Sequence, residues 1–399
     1  MYSANNNFYS MISHQQILEI LRNYDQMDIT VGVLGGHSAL DVCHGAKKFG
    51  LKTLAVCQKG REQTYTKYYK TRSDMDVVPD QYEAWTSTKG CVDDTIVIDK
   101  FADIVKPKLQ DELRSRNTIF IHNRYFWVYC DFNKIENDFA VPIFGSRELL
   151  KLEERDVEKN QYYLLEQAGI RIPKIYDTPD SIDCLVIVKV NEAARGYERA
   201  FFLAGNTDDY KKKADELIEK KVITQEGLDK AVIEEFVVGA PVNFNFFYSP
   251  VDDELELIGT DMRRQTNLDG ILRLPAQDQV EALKHVNVRM IETGHASCTI
   301  KESLVEKAYE AGEKFVSLVR SEVPPGIIGP FALQGAISAE EGREEIVIFD
   351  VSMRIPGSPG TRYTPYSGYM YGNSISFGER IAMEIQTAVN KNQLHLCVT

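Results

Sequence analysis

Four short β-rich runs at regular spacing constrain this chain more than any other feature in it. They are Ile29-Thr30-Val31-Gly32-Val33-Leu34, Thr53-Leu54-Ala55-Val56-Cys57, Thr95-Ile96-Val97-Ile98 and Thr118-Ile119-Phe120-Ile121, with helix-compatible segments between them. Short continuous apolar runs suit strands buried on both faces, and strands joined by helical crossovers pair in parallel. The stretch from about 29 to 142 is therefore expected to form a small, mostly parallel α/β layer.

Beyond it the pattern changes. A polar, helix-favouring stretch runs from Ser146 to Ala168, closed by Gly169 and broken at Pro173. An apolar strand at 184–190, a helix at about 207–221 and a second apolar strand at 231–238 follow. Antiparallel-looking strands dominate the remainder, up to an amphipathic helix from about Phe377 to Ala388. These shifts divide the chain into 1–145, an N-terminal α/β domain, 146–240, a middle subdomain, and 241–399, a C-terminal subdomain. With 399 residues the chain is long enough for two or three packed subdomains.

A formal net charge of −13 argues against nucleic acid or an anionic membrane as partner, since both select basic surfaces. No run reaches the 18 or so apolar residues of a membrane span, and the polar first residues carry no signal core. The seven cysteines are odd in number, form no CxxC pair and mostly lie in apolar runs. A reducing cytoplasm is expected, without zinc.

Four constellations can carry chemistry. Leu34-Gly35-Gly36-His37-Ser38 ends a strand and opens a helix, where glycines admit a close ligand and free N–H groups face an anion. It is not GxGxxG, and a plain strand–helix turn is the ordinary alternative. Lys189 ends the apolar run Cys184–Val188 and can reach a nucleotide phosphate, with Arg195, Gly196 and Arg199 following in a segment that can close over it. An edge lysine with solvated arginines is the plain alternative. Val232-Ile233-Glu234-Glu235-Phe236-Val237-Val238-Gly239 sets two acids in an apolar strand, and alternation lets at most one face a given pocket. A carboxylate there can accept from a ribose or an amine.

The fourth is the most informative. Gln334 and Asp350 lie in two apolar strands joined by a polar turn, so a hairpin centred on Gly342 sets them opposite each other. Alternation puts Asp350, Ser352 and Arg354 on one face and Val347, Phe349, Val351 and Met353 on the other. Such a face can be merely solvated. An amide oxygen facing a carboxylate also suits Mg²⁺, which takes hard oxygen ligands and keeps water or phosphate for the rest.

Taken in order, these pieces resemble the ATP-grasp ligases: an α/β N-terminal domain followed by an α+β ATP-grasp fold. The closer likeness, over about residues 13–388, is to the archaeal formate-dependent ligases of purine synthesis (the PurP family). It is carried by the 34–38 motif, Val141-Pro142-Ile143-Phe144-Gly145, the 233–239 motif, Pro324-Pro325-Gly326-Ile327-Ile328-Gly329-Pro330-Phe331 and Asp350-Val351-Ser352-Met353-Arg354. That family formylates 5-aminoimidazole-4-carboxamide ribotide (AICAR) with formate and ATP.

The resemblance implies that His37 and Asn267 meet the AICAR nucleotide, and Arg124 is a further substrate candidate. It implies that Lys189, Arg195, Gly196 and Arg199 hold ATP phosphates, while Glu234, Glu235, Phe236 and Val237 hold adenosine. Gln334 and Asp350 would ligate Mg²⁺ or Mn²⁺, and Arg263 or Arg354 would stabilise developing charge. A cytoplasmic homo-oligomer is implied as well. Three departures stand out: the 190–199 segment has one glycine where the family is glycine-rich, Asn123-Arg124 replaces Gly-Ser, and Asp350 replaces glutamate. Two other expectations remain beside the leading one. These are an ATP-grasp paralogue with a different carboxylate and amine, and a nucleotide-binding paralogue without turnover.

Overall fold

The computed structural model describes residues 12–72, 89–154, 157–190, 200–286, 288–289, 291–340 and 342–399. Three sheets organise them. The first holds β1 (Thr30–Leu34), β2 (Lys52–Gln58), β3 (Asp94–Ile98), β4 (Thr118–Ile121) and β5 (Ile143–Phe144), all parallel, in the order β3-β2-β1-β4-β5. β1 and the core of β2 are fully buried, as their unbroken apolar runs require. In this order the chain leaves β1 toward β2 and β3 and returns on the other side as β4. The carboxyl ends of β1 and β4 therefore flank a topological switch point, where open α/β sheets bind ligands.

The second sheet is small and antiparallel: β6 (Ile175–Tyr176), β7 (Val186–Val190), β8 (Ala200–Ala204) and β9 (Val232–Glu235), in the order β6-β9-β7-β8. The third is antiparallel too, with β10 (Ala240–Ser249), β11 (Glu254–Gln265), β12 (Glu292–Cys298), β13 (Gly329–Glu340) and β14 (Arg343–Ser352), in the order β12-β11-β10-β13-β14.

Three expectations are corrected. The 146–168 stretch is not one helix but a 3-10 segment, Arg147–Glu153, and a helix, Gln161–Gln167, restarted by the Asn160 side chain accepting from two backbone N–H groups. The longest helix, Glu302–Glu322, went unnoticed in the sequence and packs on the third sheet through residues such as Phe315 and Val316. On β14 the simple alternation fails. Ile348 pairs with Gly335 and Asp350 with Gln334, so Phe349 is an extra residue in a bulge. Ile346 and Ile348, rather than Val347 and Phe349, accordingly share the core with Val351 and Met353.

The last helix, Phe377–Asn390, returns to the first layer. Ile381, Ile385 and Ala388 join Val31, Val33 and Val42 in one core, and Val398 bridges to Phe144. The same helix is tied to the third sheet by buried Arg380, which donates to both Glu256 oxygens at 2.7 Å and to Glu384 at 2.8 Å. One helix thus clamps the parallel layer to the antiparallel sheet and fixes the crevice between them.

That clamp needs glycine. A Cβ on Gly45, in the helix Ala39–Lys48, would lie 2.0 Å from the backbone of Gly378. In an isolated helix Gly45→Ala would stabilise by about 1 kcal/mol. Here backbone blocks it, and the expected outcome is a loss of about 1–3 kcal/mol in chemical denaturation. An unchanged or higher midpoint would contradict the close helix contact.

Candidate active site

The polar groups of the third sheet are aligned by register. Asp261 on β11 pairs with Asn243 on β10, Asn243 with Gln334 on β13, and Gln334 with Asp350 on β14. Directly opposed residues project to the same face, so these four form one row across four strands. Arg263, two residues along β11, pairs with His295 on β12 and extends the polar face. Ser352, two beyond Asp350, receives a hydrogen bond from Gln334 Nε2 at 2.8 Å.

The switch point of the first layer meets this face. After β1 comes His37, with a positive φ of 49°. After β4 come buried His122 and Asn123 and then half-buried Arg124. Asn123 donates to Leu34 and Gly36 carbonyls at 2.9 and 3.0 Å, so it locks the β4 turn to the glycine turn. Gly36 itself lies against the Tyr125 ring, where a Cβ would sit 1.9 Å from a ring carbon. The Asn-Arg departure therefore has a structural half, Asn123, and a crevice half, Arg124.

Glu292, at the start of β12, links the two sides. It lies 3.1 Å from His295, 3.4 Å from Arg263, 3.7 Å from Arg124 and 3.9 Å from His37. Arg354 stands close enough to act electrostatically on His37, His122 and Arg124, while Asp350 acts on Arg124. His37, Arg124, Arg263, Arg354 and Asp350 are thus brought together. Gln334 joins through its Oε1, which accepts from Arg263.

Charge states follow from burial and neighbours. Burial, with Arg354 adding to it, pushes His37 and His122 down to about 3, so both rings are neutral near pH 7. His295 goes the other way. Burial opposes its charge, but hydrogen bonds and charge from Asp261 and Glu292 raise it to about 9. Asp261 is itself held by Asn243 at 3.0 Å and Asn245 at 2.6 Å. Against burial, His295 and Arg263 hold Glu292 down at about 2. Glu153, near Arg354 at 3.5 Å, is pushed up to about 7 by burial despite that arginine.

A second polar cluster lies on the small sheet. Lys189 pairs with Glu234, donates to the Tyr162 hydroxyl at 3.1 Å and lies 5.8 Å from the Tyr162 and Phe349 ring centres. The two acids separate, as alternation requires. Buried Glu234 faces Lys189 and accepts from Tyr162 at 2.7 Å. Glu235 instead lines a cavity of about 290 Å³ with Phe236, Val237, Val238, Cys184, Leu185, Ser338 and Ala339. The adenosine expectation thus divides: Glu235, Phe236 and Val237 line the cavity, and Glu234 does not. Arg195, Gly196 and Arg199 lie outside the described residues. Asn267, with φ 37°, begins a short helix, and its Oδ1 accepts from the Arg289 N–H at 2.7 Å.

No cluster of three or more His, Cys, Asp or Glu suited to a metal occurs among the described residues. Gln334 and Asp350 still fit Mg²⁺ by donor chemistry, since both offer hard oxygens and a phosphate-bridging ion needs as little as one carboxylate from protein. Arg263 would have to release the Gln334 oxygen.

Sequence reasoning missed Glu292, His295, Asp261, Tyr162 and Glu153. Asp261 was detectable: it and Arg263 stand at period two after the apolar Leu257-Ile258, as Asp350 and Ser352 do on their strand. The others had no local signal.

A parallel layer whose switch point faces an antiparallel sheet, with a small sheet carrying a lysine and an acidic hinge, is the architecture of the ATP-grasp enzymes. Solved structures share it. The chain is similar to the crystal structure of an IMP biosynthesis protein PurP from Thermococcus kodakaraensis, with TM-score 0.64 and 26% identity, covering 92% of this chain and 100% of that one. An ADP complex of N5-carboxyaminoimidazole ribonucleotide synthetase gives 0.53 at 12% identity, covering 83% of this chain and 71% of that one, a likeness of fold alone.

The sequence narrows the class. Residues 31–176 match a protein family of unknown function (DUF1246), and residues 209–399 match a domain of unknown function (DUF1297). A 5-formaminoimidazole-4-carboxamide-1-(beta)-D-ribofuranosyl 5'-monophosphate synthetase of Methanothermobacter thermautotrophicus is 37% identical over 98% of this chain and 100% of its own length. The protein of the same name from Methanocaldococcus jannaschii is 37% identical over 96% of this chain and 99% of its own length. The chain belongs to this synthetase family.

In an NMR titration His295 should stay protonated through neutral pH and lose its proton near 9, with His37 and His122 neutral down to about 3. Because the folded value of His295 lies above its ordinary 6.5, its pairing stabilises the fold fully below 6.5 and fades as pH rises through about 9. A His295 midpoint near 6.5 would mean that Asp261 and Glu292 do not hold it.

Proposed function

We propose that the protein is an ATP-dependent ligase that formylates AICAR with formate, yielding the formamide ribotide, ADP and phosphate. The observation that carries this reading is near-full-length likeness to synthetases of that product at 37% identity. The gathering of His37, Arg124, Arg263, Arg354 and Asp350 at the switch point supports it, because the cluster offers several cations to anionic reactants. Homo-oligomeric assembly and a cytoplasmic setting belong to the same reading. No helix among the described residues is long and apolar enough to cross a membrane.

In this reading a formate oxygen attacks the γ-phosphorus, the bond to the β-phosphate oxygen breaks, and ADP leaves. The AICAR amine then attacks the formyl carbon, the carbon–oxygen bond to phosphate breaks, and the amine loses a proton. Lys189, oriented by Glu234 and Tyr162, meets the ATP phosphates, and the cavity beside Glu235–Val238 takes the adenine. Mg²⁺, held by Asp350 and Gln334, would neutralise phosphate charge. Arg263, released from Gln334 and still beside Glu292, and Arg354, beside Glu153, face the developing negative charge. Neutral His37 and charged Arg124 bind the ribotide from the first layer. No nucleophile on the protein is needed, since the covalent activation is on formate and the site supplies position and charge.

ADP release should require formate and AICAR together and give a product heavier by one formyl group. Turnover with neither substrate, or none with both, would refute the activity. Release with another carboxylate and amine would point to the paralogue reading.

Asp350→Asn should remove most turnover at limiting Mg²⁺, because an amide supplies no anionic oxygen, and Gln334→Ala should be milder. Near-normal turnover of Asp350→Asn would place the metal elsewhere. Arg124→Ser should raise the AICAR KM on the order of tenfold or more, as expected for losing a charge-assisted contact to phosphate, and leave the ATP KM unchanged. A rise in the ATP KM alone would put Arg124 in the nucleotide site.

A further inference from the structure

Glu292 stands where imidazole and guanidinium groups from both layers converge. Its Oε1 faces His295 at 3.1 Å and His37 at 3.9 Å, and its Oε2 faces Arg263 at 3.4 Å and Arg124 at 3.7 Å. His37 and Arg124 come from the carboxyl ends of β1 and β4, while Arg263 and His295 are paired positions on β11 and β12. The Glu292 side chain is 21% exposed, so the carboxylate borders the crevice rather than a dry core.

The contacts are unequal. Only His295 is near hydrogen-bond distance, and it is anchored behind by Asp261, which is 1% exposed and tied to Asn243 and Asn245. The carboxylate is therefore held from the β12 side and reaches Arg124 and His37 at longer range. An arginine satisfied by a carboxylate takes it at about 2.7–2.9 Å, often with two parallel bonds. Arg124 at 3.7 Å is charge-balanced by Glu292 without that geometry. The ring of cations is neutralised from its centre, in the place an incoming anion would take.

We propose that Glu292 sets the affinity of the acceptor site for phosphate, as a resident counter-anion that an incoming phosphate must displace or sit beside. The inference rests on reading His37 and Arg124 as contacts of the acceptor's phosphate. Like charges a few ångströms apart in a partly desolvated crevice repel strongly. A bare inorganic phosphate meets that repulsion with only the neighbouring cations to offset it. A phosphoribosyl ligand offsets it through sugar and base contacts elsewhere in the crevice. The site would thereby reject inorganic phosphate, which the reaction itself releases, and still accept a sugar phosphate.

The test is calorimetric, on the full chain with ADP filling the nucleotide site, using inorganic phosphate and ribose 5-phosphate as probes. Glu292→Gln should bind inorganic phosphate more tightly than the parent by on the order of tenfold or more, the size expected for removing one nearby like charge. Its affinity for ribose 5-phosphate should rise by a similar factor, because both phosphates meet the same charge. Glu292→Asp keeps the charge but draws it back one methylene, and should fall between parent and Glu292→Gln. It decides the matter alone if the glutamine variant does not fold. Unchanged or weaker phosphate binding in these variants, or none in any of the proteins, would overturn the inference. Turnover of AICAR by the parent is measured separately. Its absence alongside the expected phosphate result would sink the proposed activity and leave the role of Glu292 standing.

Discussion

Cross-strand register in the third sheet is the constraint on which the rest of the site depends. Asp261, Asn243, Gln334 and Asp350 are directly opposed on successive strands, so one backbone ladder sets four polar side chains in a row. A slip of one residue on any strand would send its member of the row to the opposite face. The apolar positions between them forbid such a slip. Phe244, Leu257, Leu333 and Val351 are buried on the far side against the helix Glu302–Glu322 and its neighbours. The core therefore fixes the register, and the register places the chemistry.

The bulge at Phe349 shows how one inserted residue lets a strand serve two clusters. Phe349 lies beneath Lys189, and its carbonyl is 3.2 Å from the Tyr162 hydroxyl. Asp350, its neighbour, belongs to the row that faces the arginines. In an unbroken strand adjacent residues point to opposite faces, and the two clusters could not be neighbours along one chain segment. The bulge joins the Lys189–Glu234 side of the crevice to the arginine side.

Charge in the crevice is arranged by burial as much as by residue type. Three arginines and a protonated His295 are offset by Glu292, Asp261 and Asp350, while His37 and His122 stay neutral because solvent is excluded from them. Buried charges of this kind persist only when paired, and removing one partner leaves the other stranded. The helix Phe377–Asn390 holds this arrangement in place through Arg380 and through its backbone contact at Gly45. Residues remote in sequence from every candidate motif thus keep the two walls of the crevice in position.

The sequence by itself determined the parallel layer, the hairpin that opposes Gln334 to Asp350, and the separation of Glu234 from Glu235. Each is a local consequence of apolar run length, turn position or strand alternation, and a single chain segment carries all the information. It also offered His37, Lys189, Arg263 and Arg354 as candidates for the site. Only the tertiary structure decided that Glu234 turns to Lys189, that the Asn267 Oδ1 accepts from the Arg289 N–H, and that Phe349 is an extra residue. Only it revealed Glu292 and His295, whose role exists because β12 pairs with β11 and the switch point of another sheet is packed against both. Contacts between layers depend on which faces meet, and facing is settled by burying all the apolar surface at once, a condition that no local pattern in the chain records.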